Sequence, residues 1–65
     1  MEIIIKVREK RKEQRLSIRQ LAQESGISKS QIAAIETGSS IPTILTLCRL
    51  AEAMRVKPEE LYEYW

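Results

Sequence analysis

The chain has 65 residues, 43% of them apolar, with 11 basic and 9 acidic side chains and a formal charge of +2. A length like this supports one domain, residues 1–65, that buries only about 60% of its unfolded surface, which excludes a large core or a second folded unit. With no run near the roughly 18 apolar residues needed to span a bilayer and no signal-peptide pattern, the expectation is a cytoplasmic protein without a membrane partner.

The charge is unevenly spread. Residues 1–30 hold Lys6, Arg8, Lys10, Arg11, Lys12, Arg15, Arg19 and Lys29 against four glutamates, about +4, while residues 31–65 come to about −2. Such asymmetry suits a polyanion on one face, and equally a solvated helix with alternating charges. The sequence has no His and one Cys, Cys48. It therefore offers no nucleophile-plus-base pair, no metal-ligand spacing and no Gly-rich phosphate loop. The reading is a non-enzyme without metal, cofactor or small-molecule ligand. The lone Cys cannot form an internal disulfide, which fits a reducing compartment.

In chain order, Glu2–Val7 (EIIIKV) is β-branched and reads as a strand, with Ile3, Ile5 and Val7 on one face and Ile4 opposite. The only other β-prone segment is Leu61–Trp65 (LYEYW), so the termini are expected to pair as a short antiparallel ribbon. A rival reading starts the first helix at Ile4 and leaves the C-terminus loose. Arg8–Arg15 is helix-forming but has no large hydrophobe. It should lie on the surface, resting on Val7 and on the stems of Lys10, Arg11 and Gln14. Arg15 stands where a helix often ends in Gly, so that exit should be strained or solvated.

Leu16–Gly38 (LSIRQLAQESGISKSQIAAIETG) carries two short amphipathic patterns about a turn at Gly26. Ser17 with Gln20, and Ser28 with Gln31, each have capping-box spacing. Leu21, Ala22, Ile27, Ile32 and Ile35 point inward on helical spacing, and Ala22 and Gly26 are small where backbones approach or turn. Two capped helices so joined make a helix-turn-helix over residues 17–36. Ser39–Pro42 is a loop, Thr43 caps the next helix, and Ile44, Leu47, Cys48, Leu50, Ala51 and Met54 form the widest apolar stripe, read as the main core helix with Cys48 as a small core hydrophobe. Lys57–Leu61 opens a fifth helix with Pro58 at its first position. The fold class is thus all-α, five short helices plus a terminal antiparallel β-ribbon.

From Val7 to Tyr62 the chain resembles the phage lambda repressor/Cro-type (XRE) helix-turn-helix domains. Arg11, LSIRQLA, the Gly26-Ile27-Ser28 turn, SKSQIAAIETG, Ile41-Pro42-Thr43 before LTLCRLAEAM, and VKPEELY carry that resemblance. It implies a lambda-repressor-like fold and a DNA-binding transcriptional regulator of the repressor type, whose helix 28–36 enters the major groove of double-stranded DNA. By position, Lys29, Ser30 and Ala34 match base-reading sites: Lys donates to guanine, Ser pairs with several bases and Ala suits a thymine methyl. Gln31 is held as a weaker contact because of its capping role. Phosphate contacts are assigned to Ser17, Arg19, Thr37, Ser39 and Ser40. Arg11 and Glu36 match a pair that bridges the first helix to the end of the reading helix, expected as a surface pair worth about 0–1 kcal/mol. One departure is Ile18, where the family usually has a phosphate-binding Gln. Ile cannot make that bond, which leaves it to Arg19 or Ser17, or lowers DNA affinity. A homodimer on a two-fold site is implied, with Ile4, Tyr62, Tyr64 and Trp65 as dimer or core-covering residues. Ile18 and the low net charge also keep open an antitoxin or anti-repressor module that reuses the fold.

Overall fold

The two ends of the chain meet. In the computed structural model, which describes residues 1–65, β1 (Ile3–Ile5) pairs antiparallel with β2 (Tyr62–Tyr64), Ile3 facing Tyr64, Ile4 facing Glu63 and Ile5 facing Tyr62. Lys6 Nζ and Glu63 Oε1 close one side of the ribbon at 2.7 Å. Between the strands lie α1 (Val7–Glu13), α2 (Ile18–Ser25), α3 (Lys29–Thr37), α4 (Ile44–Met54) and a 3-10 turn over Pro58–Leu61.

There are four α-helices, not five. Pro58 lacks an N–H, the Lys57 N–H is taken by Glu60 Oε2 at 2.9 Å, and the Glu60 N–H closes back on the Lys57 carbonyl at 2.9 Å. Those bonds span three residues, and the backbone is already extended at Tyr62, where β2 begins. Four residues between a proline and a strand leave no room for a ladder of four-residue bonds.

The ribbon is shorter than the β-prone pattern. Val7 leaves the strand, opens α1 and is fully buried, the one large hydrophobe that helix contributes to the core. Nor does the helix start at Ile4. At its exit, the Leu16 N–H bonds the Arg11 carbonyl (3.1 Å) and the Arg15 N–H bonds the Lys12 carbonyl (3.0 Å), with Arg15 left-handed at φ 57°. This is a Schellman closure made with a residue that carries a Cβ. The same closure ends α4 at Arg55, φ 58°.

The core is Val7, Leu21, Ile27, Ile32, Ile35, Leu50, Ala51, Met54 and Leu61. Helix α4 supplies three of these, packing against α2 and the 3-10 turn, while α1 reaches both α3 and α4. The stripe expected on α4 splits in two. Thr46, Leu50, Ala51 and Met54 are buried, but Ile44 and Cys48 are exposed together with Leu45. Positions 44, 45 and 48 share a second helical face, which is exposed. Cys48 is therefore a surface thiol and not a core residue. No helix is long and apolar enough to cross a membrane.

Candidate nucleic-acid interface

Helix α2 starts with both halves of a capping box: Ser17 Oγ accepts from the Gln20 N–H at 3.0 Å, and Gln20 Oε1 accepts from the Ser17 N–H at 2.8 Å. It ends at Gly26, which has φ 75° and donates its N–H to the Ala22 carbonyl at 3.0 Å. A Cβ on Gly26 would meet nothing within 4 Å, so the turn needs glycine for its left-handed backbone and not for close approach. Ser28 then caps α3 by accepting from the Gln31 N–H at 3.1 Å. The return bond from the Gln31 side chain is not made, so only half the expected capping box forms there. The Gln31 amide stands exposed with Lys29 and Ser30 on the first turn of α3.

One buried fork fixes this helix pair to α1. Arg11 Nε donates to Glu36 Oε2 at 2.7 Å and Nη2 to Oε1 at 3.0 Å, while Nη1 donates to the Leu16 carbonyl at 2.8 Å. The guanidinium thus holds the end of α3 and the loop ahead of α2 at once. The side chains are only 11% and 5% exposed, so this is no surface pair. Hydrogen bonding to Glu36, opposed by desolvation and aided by its charge, raises the Arg11 pKa above its ordinary value.

These features, a capped α2, a left-handed glycine turn and a capped α3 presenting its first polar turn outward, are those of the helix-turn-helix profile that matches residues 7–61. The chain belongs to the XRE-type helix-turn-helix family. It is 38% identical over 56 residues to two Mycobacterium tuberculosis proteins, the uncharacterized HTH-type transcriptional regulators MT0491 (strain CDC 1551) and Rv0474 (strain H37Rv). The matched part is 86% of this chain and 40% of each relative, so the chain spans about two fifths of their length. Its fold is similar to the restriction-modification controller protein C.AhdI from Aeromonas hydrophila, with a TM-score of 0.82 at 31% identity over 85% of this chain and 83% of that one.

Within this helix-turn-helix unit, Lys29, Ser30 and Gln31 share the exposed start of α3, and Ala34, half-buried, follows one turn later. Ser17 and Arg19 are exposed at the start of α2. The Thr37 hydroxyl lies 3.3 Å from the Ala34 carbonyl and 3.1 Å from Ser39 Oγ, so these two side chains are tied to each other at the far end of α3. Ser40 is half-buried, its N–H bonded to the Ala34 carbonyl at 3.1 Å. The nominated residues therefore fall at three places: the start of α2, the first turns of α3 and the far end of α3. Ile18 is half-buried and packs against the core, which gives that side chain a structural job at the start of α2.

Three cations have in-chain partners: Lys6 has Glu63, Lys10 has Glu13 and Arg11 has Glu36. Arg8, Lys12, Arg15, Arg19 and Lys29 have none within 4 Å, and all are exposed. Sequence reasoning treats Arg15 only as a helix exit and not as a free cation beside the α2 cap, although it stands two residues ahead of Ser17. Nor does it find the Gln14 amide, which donates to the Met54 carbonyl at 2.6 Å and ties α1 to the end of α4.

Proposed function

We propose that residues 1–65 act as the DNA-binding domain of a transcriptional regulator of the repressor type, reading duplex DNA with the first turn of α3. The observation that carries this is that Lys29, Ser30 and Gln31 project together, exposed and without salt-bridge partners, from a helix held in place by a buried Arg11–Glu36 fork. A rigid helix with free donors at its start suits base edges in the major groove. Lys29 reads guanine, Ser30 and the unoccupied Gln31 amide read neighbouring bases, and Ala34 rests against a thymine methyl. Ser17, Arg19, Thr37, Ser39 and Ser40 hold phosphates on either side. Family membership and the HTH-type regulator relatives support the same reading.

One such domain makes too few contacts for tight specific binding, so two copies bind a two-fold site with half-sites about 34–36 Å apart. A DNA partner also assigns the protein to the cytoplasm of the cell whose operators it reads, and neither chemistry nor a cofactor is needed for that task. The test is selection of sites from random duplex DNA, repeated with Lys29→Ala. A palindromic consensus that relaxes at one position per half-site is expected. No enrichment at low salt would overturn the proposal.

A further inference from the structure

DNA reading leaves the terminal ribbon without a task. Glu2 and Trp65 exchange both backbone bonds (2.8 and 3.1 Å), and the Lys6 N–H donates to the Leu61 carbonyl at 2.7 Å. Bonded pairs alternate along an antiparallel ladder, so Ile4 turns its N–H and C=O toward Glu63, and Ile3 and Ile5 turn theirs outward. Those four groups have no partner in the chain, and they line the free edge of β1. Beside this edge runs a groove of about 360 Å³ walled by Ile3, Ile5, Ile35 and Ile41 and reaching Thr37 and Ser40. Ile41 is 83% exposed and Ile3 57%, an apolar surface that water covers poorly.

Glu2-Ile3-Ile4-Ile5-Lys6 is complementary to itself when run antiparallel. With the two-fold axis at Ile4, Ile3 stands opposite Ile5 of a second copy. All four outward groups then find partners, and Glu2 faces Lys6 of the second copy at both ends. The edge of β2 lacks this property, since Tyr62-Glu63-Tyr64 paired with itself about its centre sets one Glu63 against the other. We propose that a second copy of this chain adds its β1 to the β1 edge, making a four-stranded sheet across the dimer axis and covering the groove beside Ile41. This rests on the two-fold dimer proposed above and names its contact, with partner isoleucines falling on the side of the sheet that bears Ile3 and Ile5. The groove runs along the end of α3, so the same contact sets the two reading helices relative to one another.

Sedimentation equilibrium of the 65-residue chain tests this, with circular dichroism to check folding. Ile3→Pro removes an outward N–H, and so two of the four bonds between copies, while leaving the β1–β2 bonds in place. It should weaken the dimer by about tenfold or more. Glu2→Lys and Lys6→Glu each set like charges opposite one another and should each lower self-association several-fold. Mixed one to one, they should form a heterodimer, because both positions of one variant are then basic and face two acidic positions of the other. A wild-type chain that stays monomeric at millimolar concentration, a dimer indifferent to Ile3→Pro, or variants that fail to pair when mixed would each overturn the inference. Binding of a single half-site by a monomer would leave the DNA-binding proposal standing, whereas an intact dimer that binds no DNA would remove that proposal alone.

Discussion

At the scale of single residues, Arg11 matters most to the placement of α3. It makes three hydrogen bonds, two to Glu36 and one to the Leu16 carbonyl, with almost no contact with water. Truncating one partner of a buried ion pair strands the other, so Arg11→Ala is expected to cost about 3 kcal/mol or more. That is most of the stability a chain of this size commands, and a shifted urea midpoint would show it. Replacing both members with apolar side chains, Arg11→Met with Glu36→Leu, should recover most of the loss. If the double variant is no more stable than Arg11→Ala, the stranded-charge account fails. Lys29→Ala should act differently, leaving the midpoint within about 0.5 kcal/mol of wild type because the residue is exposed. Its effect should appear in DNA competition assays as about 1–3 kcal/mol of lost discrimination at one base pair. The capping serines and the turn glycine are legible in the sequence, and the Arg–Glu pair is implied there only by the family resemblance. The depth at which the pair is buried is not, because it depends on α1 lying against the end of α3.

At the scale of elements, the helix ends decide where each helix points. Gly26 takes φ 75° in open space, so Gly26→Ala costs only the left-handed strain, about 1 kcal/mol. Arg55 reaches the same region with a Cβ at φ 58°, and Arg55→Gly is expected to stabilise the fold by about 0.5–1 kcal/mol. Thermal unfolding of the two variants should move the midpoint in opposite directions. The ribbon carries a pH dependence of its own. Its bond to Lys6 holds the Glu63 carboxyl below its ordinary pKa, and the bond to Glu63 raises the Lys6 ammonium. A lowered carboxyl contributes stability above its unfolded pKa and loses it as pH falls through the folded one; a raised ammonium contributes below its unfolded pKa and loses it as pH rises through the folded one. The pair is thus intact at neutral pH and opens in acid, so the Ile4 and Glu63 amides should exchange faster relative to core amides below about pH 4. Both groups sit at the surface, so the effect belongs to the ribbon and leaves the core in place.

For the whole molecule, the net charge of +2 understates what a polyanion meets, because three of the cations in the first thirty residues are paired in-chain and five are not. DNA affinity should therefore fall steeply with salt, with a log–log slope of about −0.9 for each phosphate neutralised. Arg19→Ala should make that slope shallower by about one without changing the preferred sequence. A slope near zero would mean that the free cations do not face the duplex.

Local sequence was enough to define the helix pair, its capping serines and its turn, since each depends on residues within a few positions of one another, and the wider run of motifs carried the family; it left the terminal strands open against a first helix starting at Ile4. Packing between distant elements settled the rest. The five-helix expectation became four because β1 holds Tyr62 extended and cuts the last segment to a 3-10 turn. The apolar run of α4 was visible, but packing against α2, α1 and the 3-10 turn chose Leu50, Ala51 and Met54 as its buried face and left Ile44 and Cys48 exposed. Helical periodicity says which residues share a face. It cannot say which of two apolar faces finds a neighbour, and that choice is made by elements distant in the chain.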